Sequence, residues 1–107
     1  MERITYATHI QAFIKIPPHE ILYLYQERPE TLLVVGQYRT CFITSTLDRL
    51  KNDLISHGFI RSHSDFLINL NHIQFFNKSM VRIGHVELPI SQSGFNLLLD
   101  RLNVVRG

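Results

Sequence analysis

Apolar residues in the first forty-odd positions come in short runs suited to strands, and helical spacing first appears at "STLDRLKNDLISHG", residues 45–58. This late change of period constrains the fold most. A parallel sheet needs a helix between successive strands, and no such alternation exists here, so a doubly wound nucleotide-binding fold is excluded. "QAFIKI" (11–16) reads as a strand stopped by Pro17 and Pro18, neither of which can donate to a ladder. "EILYLYQ" (20–26) is a second strand, "ERPE" a turn, and "TLLVV" (31–35) with "YRTCFI" (38–43) a hairpin around Gly36-Gln37. In the helical stretch Leu47, Leu50, Leu54 and Ile55 share one face, Ser45 is the expected N-cap with Asp48 answering it, and Gly58 ends the helix. Two strands joined at Asn77-Lys78-Ser79, a bend at Gly84-His85 and a third strand to Pro89 follow. A closing helix over 91–102 carries Phe95, Leu98, Leu99 and Leu102, with Ser91 as cap. The fold expected is mainly β (α+β): short antiparallel sheets with two small helices near 46–56 and 91–102.

A chain of 107 residues, 45% hydrophobic, suffices for one core. The lone Cys41 forms no internal disulfide, no apolar run reaches the ~18 residues of a membrane span, and the N-terminus has no signal-peptide pattern. A cytoplasmic, non-membrane protein is expected. The net charge of +2 permits a polyanionic partner without demanding one.

One stretch, "FIRSHSDFLIN" (59–69), sets Arg61, Ser62, His63, Ser64 and Asp65 between apolar flanks. Neighbouring Ser, His and Asp residues on a strand point to alternate faces and cannot assemble a triad, and no G-x-S-x-G elbow accompanies them. The six histidines and Cys41 show no zinc-site spacing, and the five scattered glycines form no phosphate loop. No catalytic residue, metal or cofactor is therefore expected. Binding remains: Arg61 and His63 share one strand face, Ser62 and Ser64 the other, and such donors grip phosphate oxygens. On composition alone, a solvated loop between two buried strands is the simpler account.

The order of elements adds more. "GFIRSHSDFLINLNHI" (58–73) resembles the central signature of the LytTR family of bacterial DNA-binding domains, Phe-x-Arg-x-His-basic-Ser-aromatic-aliphatic-Val-Asn with a later Ile. Phe59, Arg61, His63, Phe66, Leu67, Ile68, Asn69 and Ile73 match in register. "IKIPPHEILYL", with Glu20, Ile21 and Tyr23, resembles the family's opening. "TSTLDRLKNDL" resembles its short helix, and "GHVELPISQSGFNLLLDRL", with Gly84 and Leu88 to Ser91, its close. The likeness covers about residues 11–102, leaving 1–10 as an N-terminal extension or linker and 11–107 as the domain.

The resemblance implies a transcription regulator that meets promoter DNA through loops, at paired sites, usually as the output domain behind the receiver of a two-component response regulator. A receiver domain or a second copy of the chain are the protein partners it suggests. Three loops carry the family's contacts. Here they hold Thr31 (near Glu27–Thr31), Ser64 where a basic residue or Asn is usual with Asp65 in place of Ser, and Gln92 where Arg is common. Arg61 is expected to grip phosphate, and His63 to do so or to buttress the loop. Ser64 and Gln92 would meet base edges or sugar-phosphate, and Arg28 and Arg39 would extend the basic face. Asp65 would repel phosphate or accept from a cytosine amino group. Asn69 is expected to cap a turn, and Tyr23, Phe66 and Ile68 to be core. A protein-interaction module on the same fold is the alternative, favoured by Asp65 and by the missing charge at Gln92.

Overall fold

The computed structural model describes residues 4–7 and 13–102. Strand β1 (Ile4–Ala7) pairs antiparallel with β2 (Phe13–Ile16), so the segment expected as an extension contains a strand. Gln11 and Ala12, expected to begin β2, lie outside the described residues. After Pro17 and a short 3-10 turn at Pro18–Glu20, the chain enters β3 (Ile21–Arg28), then β4 (Thr31–Gly36) and β5 (Thr40–Thr44). Helix α1 (Leu47–Ile55) follows, and Gly58, at φ 87, turns the chain from it into β6 (Phe59–His63) and β7 (Phe66–Asn69). These five strands make one antiparallel sheet in the order β5-β4-β3-β7-β6. β8 (Ile73–Phe76), β9 (Met80–Ile83) and β10 (Val86–Pro89) form a second, three-stranded antiparallel sheet, and α2 (Gln92–Arg101) closes the fold. As expected, antiparallel sheets dominate and no parallel pair occurs among the described strands.

The five-stranded sheet buries both faces. Against one, α1 lays Leu47, Leu50 and Leu54 on Leu24, Leu32, Val34, Ile43, Phe59 and Leu67. On the other, Ile60 and Ile68 meet Val81, Ile83, Leu88, Ile90 and Leu98 of the second sheet and α2. Each fully buried aliphatic contributes about 1.5–3 kcal/mol by leaving water, so the two clusters hold the layers together. Tyr23 and Phe66, expected in the core, are half-buried and pack against the second cluster from its margin, their ring centroids 6.1 Å apart; Ile68 is fully buried as expected.

Two local expectations need correction. The N-cap of α1 is Thr46, not Ser45: Thr46 is extended (φ −130°, ψ 158°) and its side chain accepts from Arg49 N–H at 3.2 Å. The Ser45 N–H instead donates to the Glu30 carbonyl, which makes Ser45 the last link of the strand end. Ser62 and Ser64 do not share a face. A register shift between Arg61 and His63 breaks the alternation, leaving Ser62 wholly buried and Ser64 exposed. Ser91 is the cap expected of it, accepting from Gly94 N–H at 3.0 Å.

What buries Ser62 is α2. The Ser62 carbonyl accepts from Ser91 N–H at 2.9 Å and from its hydroxyl at 3.2 Å. A Cβ on Gly94 would stand 2.1 Å from that same oxygen. The first turn of α2 therefore rests backbone-on-backbone against β6, and only glycine allows it. Gly94→Ala should lower stability by about 1–3 kcal/mol or prevent folding, while Ser93→Ala, one position away and exposed, should be nearly neutral. Urea denaturation of the two variants reads the difference.

Candidate nucleic-acid interface

The ladder register brings several turns to one end of the five-stranded sheet. Arg28 pairs with Thr31 across the β3–β4 turn, and Thr31 pairs with Thr44, so that turn, the end of β5 and the start of α1 are neighbours. On the other side, His63 pairs with Phe66 across a two-residue turn of Ser64 and Asp65. Gln26 N–H donates to the Asp65 carbonyl at 2.9 Å, which places this turn beside the β3–β4 turn, one strand over. Because α2 begins on Ser62, the residue before His63, exposed Gln92 belongs to the same end. Thr31, Arg28, His63, Ser64, Asp65 and Gln92 are thus brought together.

Arg39 is not. It sits beside Thr40, whose register partner is Val35, at the opposite end of the sheet. There its guanidinium donates to the Lys15 carbonyl at 3.1 Å and pairs with Glu20 at 3.3 Å. Arg82, on the outer face of the second sheet, pairs with Glu87 at 2.7 Å and lies over the Phe75 ring.

Arg61 is anchored from within. Its Nη1 pairs with Asp48 of α1 at 3.0 Å, its Nε donates to the carbonyls of His63 and Ser64, each at 3.2 Å, and its Nη2 donates to the Ser64 carbonyl at 2.6 Å. A planar fork with several donors suits this work, since one side chain can hold two consecutive carbonyls and a carboxylate. His63 completes the turn: its Nδ1 takes the Asp65 N–H at 3.2 Å and lies 3.4 Å from the Ser64 hydroxyl, and its ring packs edge-on to Phe66. Phe66 in turn stacks on Tyr25. The side chains of Ser64 and Asp65 stay exposed on a turn whose backbone is held from both sides.

Gln26 holds the adjoining turn, and no sequence motif marked it. Its Nε2 donates to the Arg28 carbonyl at 2.5 Å, to Thr31 at 3.2 Å and to Ser45 at 3.4 Å, while its Oε1 accepts from Leu47 N–H at 2.9 Å. One amide thereby ties the β3–β4 turn to the first turn of α1, satisfying an end N–H of the helix that would otherwise lack a partner. Glu30 and Arg49 repeat the link on the surface at 2.9 Å. Only a polar residue in an otherwise apolar run, "EILYLYQ", hinted at this. Beside the turn, Glu27, Arg28, Thr31 and Phe42 line a cleft of about 290 Å³. Asn69 serves as expected, its side chain accepting from Asn71 N–H at 3.0 Å, and it also donates to the Ile21 carbonyl at 2.9 Å.

Among the described residues, no three His, Cys, Asp or Glu side chains gather as metal ligands, and no helix is long and apolar enough to cross a membrane. What the end of the sheet presents is a set of hydrogen-bonded turns with exposed polar side chains. The chain belongs to the LytTr DNA-binding domain family, whose description matches residues 11–103. Among solved structures it is similar to the LytTr DNA-binding domain of a Bacillus cereus protein described as a response regulator, with a TM-score of 0.77 at 22% identity over 97% of this chain and 99% of that one. No curated protein matches the sequence.

Two outcomes follow from the clasps. Gln26→Leu keeps the volume but strands the Leu47 N–H, and should lower stability by about 1–3 kcal/mol while speeding amide exchange at the β3–β4 turn and the start of α1. The hydrogen bond and charge of Arg61, with Lys51 adding to them, hold the Asp48 carboxyl below its usual range. A carboxyl with a lowered folded pKa stabilises above its unfolded pKa and loses that contribution as pH falls through the folded value. Asp48→Asn should therefore destabilise at neutral pH, and the gap to wild type should close in acid and in high salt, because Asp48 is exposed. Thermal melts across pH and salt read this.

Proposed function

We propose that the domain binds double-stranded DNA sequence-specifically as the output module of a bacterial transcription regulator, with no catalytic step. The observation that carries this reading is the convergence of the β3–β4 turn, the Ser64-Asp65 turn and Gln92 on one end of the sheet. Membership of a DNA-binding family supports it. In this reading Ser64 and Gln92 meet base edges or sugar-phosphate, where a glutamine amide can pair with adenine. Thr31 and Arg28 contact the backbone from the neighbouring turn. Arg61 and His63 act chiefly by fixing the turn that presents Ser64, since the guanidinium is engaged with Asp48 and two carbonyls and the imidazole with Asp65 N–H. Arg39, at the far end, takes no part. Further along the same reading, paired sites on the DNA, a receiver domain, a second copy of the chain and a cytoplasmic setting follow from the family's usual use.

A second reading keeps the fold but gives the surface to a protein partner. It is favoured by the exposed carboxylates of Glu27 and Asp65 at the same tips, and by the pairing of Arg61 within the domain. Titrating wild type and Asp65→Ser against randomised duplexes at two salt concentrations separates the two. If the carboxylate faces phosphate, Asp65→Ser tightens binding to every duplex, and the gain shrinks as salt rises. If it accepts from a cytosine amino group, the same change weakens only the preferred site, by roughly 1–3 kcal/mol. Absence of binding by both proteins at low salt would remove the DNA reading in favour of the protein partner.

A further inference from the structure

Three residues that join β8 to β9, Asn77, Lys78 and Ser79, lie at the same end of the molecule as the tips described above. The chain of contacts that puts them there is short. Pro89 pairs with Met80, and Ile90 N–H donates to the Ser79 carbonyl at 3.4 Å. The next residue, Ser91, donates to the Ser62 carbonyl at 2.9 Å and caps α2, and Gln92 follows it. Neighbouring strands lie about 4.8 Å apart, so the Asn77–Ser79 turn borders Ser91-Gln92 on one side as the Ser64-Asp65 turn borders them on the other. Across the end run the β3–β4 turn, then Ser64-Asp65, then Gln92, and last the β8–β9 turn.

This last turn is formed in advance. Asn77 Oδ1 accepts from the Ser79 N–H at 2.9 Å, from the Ser79 hydroxyl at 3.0 Å and from the Met80 N–H at 3.0 Å, and Asn77 N–H donates to the Met80 carbonyl at 2.9 Å. Three donors on one oxygen fix which way the amide points, and its Nδ2 makes no hydrogen bond among the described residues. All three residues of the turn are exposed and none is acidic. The Lys78 ammonium forms no ion pair among the described residues. That sets it apart from two cations nearby, since Arg61 is engaged with Asp48 and two carbonyls and Arg49 with Glu30. Arg28 is likewise unpaired among the described residues, and it stands at the opposite flank of the row.

We infer that the Asn77-Lys78-Ser79 turn is a further contact point, at which Lys78 and the Nδ2 of Asn77 grip a phosphate of the DNA backbone beside the bases that Gln92 meets. The inference rests on the DNA-binding reading and adds to it a place and a role. A phosphate is the partner because an ammonium on a four-carbon stem is a compact point charge without the planar fork that reads a base edge in two places. Such contacts fix where a protein sits on the duplex and carry no sequence information themselves. The distribution of charge along the row agrees. Unpaired cations stand at its two flanks, Arg28 and Lys78, with neutral Ser64 and Gln92 between them, as a groove presents base edges between two lines of phosphates. The flanking cations also offset the repulsion that the Asp65 carboxylate brings to the middle of the row.

The test uses the whole chain and two duplexes, the preferred one selected from a randomised pool and a scramble of it, titrated between about 50 and 200 mM salt. Lys78→Gln should weaken both duplexes alike and lower the slope of log affinity against log salt by about one, so that its deficit shrinks about threefold over that range. Asn77→Asp keeps an acceptor for the three donors but puts a carboxylate where the amide was, and should weaken both duplexes as well. Arg101→Gln removes the same charge roughly 14 Å along α2 from Gln92 and should leave the slope unchanged. All three positions are exposed, so the fold persists, as the amide spectrum will report. Ethylation of one backbone phosphate should impede wild type and not Lys78→Gln. If wild type binds while Lys78→Gln keeps both affinity and slope, the inference is overturned and the DNA reading stands. Equal losses in Arg101→Gln overturn it in favour of overall charge, and a loss confined to the preferred duplex overturns it in favour of a base contact. If wild type binds neither duplex at low salt, both readings fall together.

Discussion

The carbonyl of Ser62 is the point on which the two halves of the domain depend. It accepts from both the backbone and the hydroxyl of Ser91, and Gly94 lets the helix come down onto it. That contact fixes where α2 begins, and therefore where Gln92 stands relative to the Ser64-Asp65 turn. Leu98 and Phe95 then follow into the second hydrophobic cluster. A helix held only by apolar side chains can slide by a fraction of a turn, because such packing is weakly directional. One held by main-chain hydrogen bonds at its first turn cannot. The Ser62 hydroxyl is buried at this contact and has no hydrogen-bond partner among the described residues.

The same division of labour recurs at the tips. Gln26 and Arg61 are the two side chains that grip loop carbonyls, one for each turn, and both reach across to α1. Loops are ordinarily the mobile part of a fold. Here each is tied to a helix terminus by a fork of hydrogen bonds, so entropy lost on binding is reduced in advance.

Strand runs, both helices, the Asn77 and Gly84 turns and the N-cap of α2 were readable from period and turn residues. So was the family likeness, because its motifs follow one another in order. Less readable was anything decided by a single hydrogen bond. Ser45 and Thr46 are equally good caps by composition; only the pull of the Glu30 carbonyl on Ser45 assigns the role to Thr46. Alternation put Ser62 beside Ser64, and the bulge after Arg61, invisible in residue types, separated them. Arg61 and Arg39 looked like free cations because an ion pair thirteen or nineteen residues away leaves no local trace. Gln26 had no motif at all.

The held turns have a consequence for how such domains diversify. Ser64, Asp65 and Gln92 project from positions whose backbone is fixed by other residues, and each side chain is exposed. Exchanging any of them touches no core contact and leaves the carbonyls held by Arg61 and Gln26 in place, and exposed substitutions of this kind change stability little. On the proposed reading, mutation can therefore rewrite what the tips recognise while Ser62, Gly94, Gln26 and Arg61 stay constant. Descendants of one ancestral domain could part ways in target long before they part ways in shape.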